Sequence, residues 1–210
     1  MKAFFFFTAL FVSCLAEELI EEECGPLIQP LPVDDIPKMN GTMYLLLGYT
    51  DQEDFRAIMK LTDSYWANIT TTSNNELIIN QRDKLNGTCI TSRIKMTFEG
   101  NTAKASLPNM TSDQYFLPTC NGCLLALVNS SAKNLRKLLQ DMGINPLSDN
   151  EQVTGRALYL MANETTIKDS DLEHFKKQAH CLNFPGEPDF QHNSEKSFCQ
   201  EGEGIVLPNF

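Results

Sequence analysis

The stretch RIKMTFEGNTAKASL, residues 93–107, reads as a strand, a turn and a second strand. Ile94, Met96 and Phe98 alternate with Arg93, Lys95 and Thr97, the period-two pattern of a strand with one buried face and one wet face. Glu99-Gly100-Asn101 then turns the chain into Thr102 to Leu107. The same alternation of apolar runs and turn residues continues on both sides. Upstream lie Met43 to Tyr49, Ser64 to Thr72 and Leu77-Ile78-Ile79; downstream lie Gln114 to Thr119, Cys123 to Asn129 and Arg156 to Ala162. Eight short strands at hairpin spacing predict an antiparallel barrel or sandwich.

Two segments carry helical periodicity instead. Leu135, Leu138, Leu139 and Met142 fall at i, i+3, i+4 and i+7, with Ser131 placed to cap and Gly143 to terminate. Ser170-Asp171-Leu172-Glu173 has the form of a capping box and opens a second helix with Leu172, Phe175 and Ala179 on one face. A helix packed on the outside of a barrel buries such a face. Pro26, Pro30, Pro32 and Pro37 mark residues 25–37 as an extended lead-in. Residues 200–210 read as a flexible C-terminal tail.

Residues 1–16 have the layout of a secretory signal peptide. A short positive start (Met1-Lys2) precedes an apolar run from Ala3 to Val12, and Ser13-Cys14-Leu15-Ala16 offers a small residue for cleavage. The run is too short to span a bilayer, an uncleaved anchor being the alternative, and no later stretch approaches the ~20 apolar residues of a membrane span. Residues 17–199 are then expected as one domain of an exported protein. Without Lys2 the chain has 16 basic and 27 acidic residues. A surface this acidic argues against nucleic acid, heparin or anionic membrane as partners.

Six cysteines follow the signal segment: Cys24, Cys89, Cys120, Cys123, Cys181 and Cys199. An even count in an exported chain reads as three disulfides, with fifteen pairings open. The one local clue is Cys120-Asn121-Gly122-Cys123, where Asn-Gly favours a type I′ hairpin turn that would bring the flanking cysteines together. A redox pair would need a βαβ setting, and the pattern lacks one. Six N-x-S/T sequons, at Asn40, Asn68, Asn86, Asn109, Asn129 and Asn163, are expected at the surface and as glycosylation sites. Sugar over the outside would leave the interior or one end of the fold for recognition.

Catalytic signatures are missing. His174 and His180 sit six residues apart on one predicted helix, about 240° around its axis, and cannot jointly grip a metal. His192 stands alone, and no nucleophile elbow, phosphate loop, dinucleotide fingerprint or zinc-protease motif is present. Paired cysteines leave no spare thiol. Neither an enzyme, nor a cofactor, nor a metal is expected. A small closed barrel, by contrast, has an interior that is either filled by side chains or holds a ligand.

Asn40-Gly41-Thr42-Met43-Tyr44 with Gln52-Glu53-Asp54-Phe55 resembles the first lipocalin motif. Thr165-Thr166, the following helix, Cys181-Leu182-Asn183-Phe184-Pro185 and Cys199 extend the likeness over nearly the whole mature chain. Together they resemble the α1-acid glycoprotein and apolipoprotein M branch of the lipocalins, including its fish saxitoxin/tetrodotoxin-binding and tributyltin-binding members. The resemblance implies an eight-stranded antiparallel up-and-down barrel with a C-terminal flanking helix. It implies bridges Cys24–Cys181 and Cys89–Cys199, which leaves Cys120 and Cys123 for each other. Two departures stand out. The tryptophan that plugs the closed end in the family is Met43 here, and residues 130–153 insert the first amphipathic helix where the family has a short connection between its last two strands. Leu135, Leu138, Leu139 and Met142 are therefore expected as a lid over the ligand mouth, or as a helix packed on the rim.

The inward parity of the family, carried onto matching positions, gives an expected ligand lining. It comprises Met43, Leu45, Leu47, Trp66, Ile94, Met96, Phe98, Leu125, Leu127, Tyr159 and Met161. The implied function is secretion into a body fluid such as plasma and transport of a small hydrophobic or amphiphilic ligand: a lipid, a drug-like amine, a toxin or an organotin. Lipoprotein particles are a further expected partner. A cationic ligand would call for an acid in the cup, and strand parity alone locates none. The alternatives are an acute-phase or immune-modulating glycoprotein with a filled barrel, and a lipocalin-type isomerase.

Overall fold

Strand β1 (Gly41–Thr50) is followed by β2 (Thr62–Thr71), β3 (Glu76–Leu85), β4 (Thr88–Glu99), β5 (Thr102–Leu107), β6 (Met110–Leu117), β7 (Cys123–Lys133) and β8 (Gln152–Ala162). Each pairs antiparallel with its neighbours in sequence, and β8 returns to β1, so the sheet closes into an eight-stranded up-and-down barrel. Closure removes the free edges that an open sheet would expose. This computed structural model describes residues 22–35, 40–72, 74, 76–107, 109–141 and 151–207, so the signal segment lies outside the described residues. Among the described residues no helix is long and apolar enough to cross a membrane.

Among the described residues, three helices follow β1 along the chain. Helix α1 (Glu53–Leu61) joins β1 to β2 and is not foreseen by the sequence reading. Its start is capped by Gln52, whose side-chain oxygen accepts the Phe55 amide at 3.0 Å. Helix α2 (Leu135–Asp141) is the inserted helix between β7 and β8. Helix α3 (Asp169–Cys181) packs on the barrel's outer wall through Phe175 and Ala179. It begins before the expected capping box: Lys168 holds the N-cap position without a side-chain bond, and Asp169 and Asp171 supply the negative charge that the helix start favours. The lead-in is also more ordered than expected, with residues 22–28 helical and a 3-10 turn at Val33–Asp35.

Turn chemistry separates the two Asn-Gly pairs that lie between strands. Asn86 and Gly87 both take positive φ, 47° and 80°, and make the type I′ hairpin between β3 and β4. At Asn121-Gly122 only Gly122 is positive, at 77°, and the Cys123 amide donates to the Cys120 carbonyl at 3.1 Å. That is the pattern of a type II turn, so the type I′ expectation is wrong there. Disulfides join Cys24 to Cys181, Cys89 to Cys199, and Cys120 to Cys123.

Two ladders are short, both on the side of the barrel where α1 and α2 lie. β1 pairs with β2 only from Gly41 to Tyr44, and the space above is taken by β9 (Phe190–Gln191), paired with Leu47 and Gly48. β4 pairs with β5 only from Met96 to Glu99, and above it β10 (Ile205–Val206) runs parallel to Ile90 and Thr91. The residues read as a flexible tail thus include a strand that fills a gap in the barrel wall.

Candidate functional site

The barrel encloses a cavity of about 740 Å³, within the range that holds a small organic ligand. Its floor is solid: Met96 is fully buried, with Met43 and Phe98 packed into the same core. Phe98 and Phe116 meet there with ring centroids 6.4 Å apart. Its roof is a separate core in which Leu135 and Leu139 of α2 pack with Phe55, Ile58 and Leu61 of α1. Leu135, Phe55 and Ile58 also face the cavity. The Leu138 side chain and Met142 lie outside the described residues.

Of the expected lining, Leu45, Ile94, Tyr159 and Met161 border the cavity. Met43, Met96 and Phe98 point inward but belong to the floor beneath it. Four expectations are wrong. Leu47 lies on the outer wall because a β-bulge between Leu45 and Leu47 shifts the alternation, leaving Gly48 to face Tyr159 and Met59. Leu125 and Leu127 belong to the core beneath α3, while Leu124, Ala126 and Val128 face the cavity. Trp66 sits outside too: its indole N–H donates to the Cys199 carbonyl at 2.8 Å, and the Arg82 guanidinium lies 4.3 Å from its ring centroid. A one-residue error of parity moves a whole strand to the other face, which is the error made in β7.

The most informative lining residues come from β3. Leu77, Ile79, Gln81, Asp83 and Leu85 alternate inward along the whole strand. The polar run Asn80 to Lys84 hides the strand's second half, yet continuing the parity of Leu77 and Ile79 reaches Gln81 and Asp83. Tyr65 on β2 is the cross-strand partner of Asp83 and shares its face. The Tyr65 hydroxyl donates to Gln81 Oε1 at 3.4 Å, and Gln81 Nε2 donates to Asp83 Oδ2 at 3.4 Å. Both bonds are long for their type. No basic side chain among the described residues pairs with Asp83. Burial away from bulk water therefore pushes its carboxyl up to about 7. Burial and then the charge of Asp83 raise both tyrosines, Tyr159 to about 12 and Tyr65 well above its usual value. The result is an apolar cup with an acid, an amide and two phenols on one side of its wall.

Lys133, the last residue of β7, also borders the cavity, whereas the remaining shifted groups lie elsewhere. His192 is lowered by burial and stacks on Phe198, with ring centroids 5.0 Å apart, outside the barrel. Tyr49, pushed up to about 12 chiefly by burial, packs on Phe175 beneath α3. All six cysteines among the described residues are in disulfides. The sequon asparagines Asn40, Asn86, Asn109, Asn129 and Asn163 are exposed, and Asn68 is half-buried.

No family profile and no curated protein matches the sequence. Solved structures do match in shape. The siderocalin Ex-FABP, described as functioning through dual ligand specificities, superposes with a TM-score of 0.55 at 13% identity, over 80% of this chain and 99% of that one. The bovine lipocalin allergen Bos d 2 gives 0.51 at 16% identity, over 72% and 89% of the two chains. The odorant-binding protein OBP1 gives 0.51 at 11% identity, over 70% and 86%. At such identities the likeness is one of fold: this chain has the lipocalin fold.

Proposed function

We propose that this protein is an extracellular carrier of a small amphiphile, whose apolar body fills the cup and whose protonated nitrogen meets Asp83. Asp83 carries the reading: a carboxyl in an apolar cavity, without a basic partner, is costly unless a ligand compensates it. Tyr65 and Tyr159 add aromatic faces and hydroxyls that suit a cation. An amine is thus favoured over a neutral lipid or an organotin. The filled-barrel alternative has the cavity of about 740 Å³ against it. Catalysis has little to work with, because among the described residues the cup holds no thiol or histidine.

Export fits three disulfides, six sequons and the signal-like start. The cysteine spacing supports kinship with the α1-acid glycoprotein and apolipoprotein M branch. In this reading the sequons carry sugar, and α2 serves with α1 as a roof over bound ligand.

The test is displacement of the apolar probe N-phenyl-1-naphthylamine by decylamine and by decanol, between pH 6 and 8. As pH falls through about 7, Asp83 takes up its proton and loses its charge. The preference for the amine should therefore rise with pH through about 7 in the native chain and stay flat in Asp83→Asn. A probe that never binds would defeat the carrier reading; equal amine and alcohol affinities at pH 8 would defeat the role of Asp83.

A further inference from the structure

We propose that ligand reaches the cup through the side of the barrel, at the seam between the upper halves of β4 and β5, with the C-terminal strand β10 as its door. The proposal rests on the carrier reading and adds the route to it.

Among the described residues the alternative openings are better closed. Above the mouth, α1 and α2 bury Leu135, Leu139 and their neighbours in a core of their own. The Arg56 guanidinium binds Asp189 at 2.7 Å and the Thr50 carbonyl at 2.7 Å, tying α1 to the rim. The seam above the short β1–β2 ladder is filled by β9, whose Phe190 is 4% exposed. The Asp189 carboxylate also accepts the Thr50 amide at 2.9 Å, and the His192 amide donates to the Leu46 carbonyl at 2.8 Å. That seam is sealed by apolar burial and charge together.

The β4–β5 seam is closed lightly. From Thr88 to Lys95, β4 has no partner on β5. β10 covers the gap with two paired residues and one further bond, from the Leu207 amide to the Thr91 carbonyl at 2.9 Å. Ile205 and Val206 are 57% and 71% exposed, so little apolar burial holds them. Leu207 is part of the cavity wall, alongside Ile90, Ser92 and Leu107. Moving β10 aside therefore uncovers the cup. Segments held by so few contacts open at the low end of the stability range.

The tail is also built to return. The Cys89–Cys199 disulfide fixes its root beside β4, keeping the strand at high local concentration when it lifts. Gly202 and Gly204, at φ 78° and 87°, supply the bends between root and door. Gly204 lies directly against the Cys89 backbone, where an added Cβ would collide with the carbonyl. A single methyl group is thus enough to push the door off its seat.

The test measures stopped-flow association and dissociation of N-phenyl-1-naphthylamine with three variants. Gly204→Ala and a chain ending at Gly202 leave the door unseated or absent. Thr91→Cys with Val206→Cys, at paired positions of the parallel register, pins it when oxidised. Opening variants should raise both rate constants about tenfold, dissociation the more because Leu207 leaves the cavity wall, and the equilibrium constant should stay within about threefold only in the pinned variant. The pinned variant should lower both by a similar factor. There, an equilibrium constant that barely moves also certifies an intact barrel. Rates indifferent to all three changes would overturn the side door alone. Failure of the unaltered chain to bind the probe would overturn the carrier reading, and the door with it.

Discussion

Replacing Asp83 by asparagine removes a charge from the cup without changing its shape. The carboxyl is held at about 7 against its ordinary 3.8, mainly by burial. At about 1.36 kcal/mol per pH unit, that gap corresponds to roughly 4 kcal/mol of folding stability, lost as pH rises from about 4 to about 7. The sign follows from the raised value. Over this range the folded protein holds a proton that the unfolded chain has released, so stability is fullest in acid and declines toward neutrality. Water in a cavity of this size screens part of the cost, leaving about 2 kcal/mol. Asp83→Asn should therefore stabilise the empty protein by about 2 kcal/mol at pH 8. For a chain of this length that is roughly 4–8 °C in Tm. At pH 4 the two proteins should melt within about 2 °C of each other. Thermal unfolding of ligand-stripped protein, followed by circular dichroism at both pH values, is the assay. Loss of stability in the variant at pH 8, or equal shifts at both pH values, would refute the claim that the carboxylate is buried without compensation.

Four further outcomes follow from other parts of the molecule. Gln178 is fully buried, and its Nε2 donates to the Leu27 and Pro118 carbonyls, each at 2.7 Å. Gln178→Ala should cost about 3 kcal/mol in urea unfolding and leave probe affinity unchanged. Ala126 faces the cavity, so Ala126→Phe should weaken probe binding by about tenfold or more while costing about 1 kcal/mol of stability. Trp66 is the only tryptophan and lies outside the cup, so filling the cup with decylamine should shift its emission little. Arg82→Ala, which removes the cation over its ring, should shift the emission clearly.

Much of the barrel is legible in the sequence because most of its strands are punctuated by turn residues. The inward direction is legible only where a strand has one wet face. Ile94, Met96 and Phe98 alternate with charged or polar residues, and all three point inward. β7 reads Leu124-Leu125-Ala126-Leu127-Val128 because α3 dries its outer face as well, and two buried faces leave no alternation to read. The bulge in β1 is invisible for a similar reason, since Leu45, Leu46 and Leu47 are one residue type on both walls. Asp83 escapes notice because an acid at an inward position makes that position look like a solvated one. Trp66 misleads in the opposite direction: an aromatic residue reads as core, yet here it braces Arg82 and the root of the tail. Helix α1 is short, and its Phe55, Ile58 and Met59 spacing falls between two strong strands.

The bulge in β1 makes one strand answer to two neighbours. Leu45 and Gly48 set the shape of the cup, whereas Leu46, Leu47 and Tyr49 set the fit of the outer helix. Variation can therefore reshape the cup at two positions while the scaffold's grip on α3 is inherited unchanged. Deleting one residue between Leu45 and Leu47 would merge the two jobs, and every later change to the cup would then be tested first against folding.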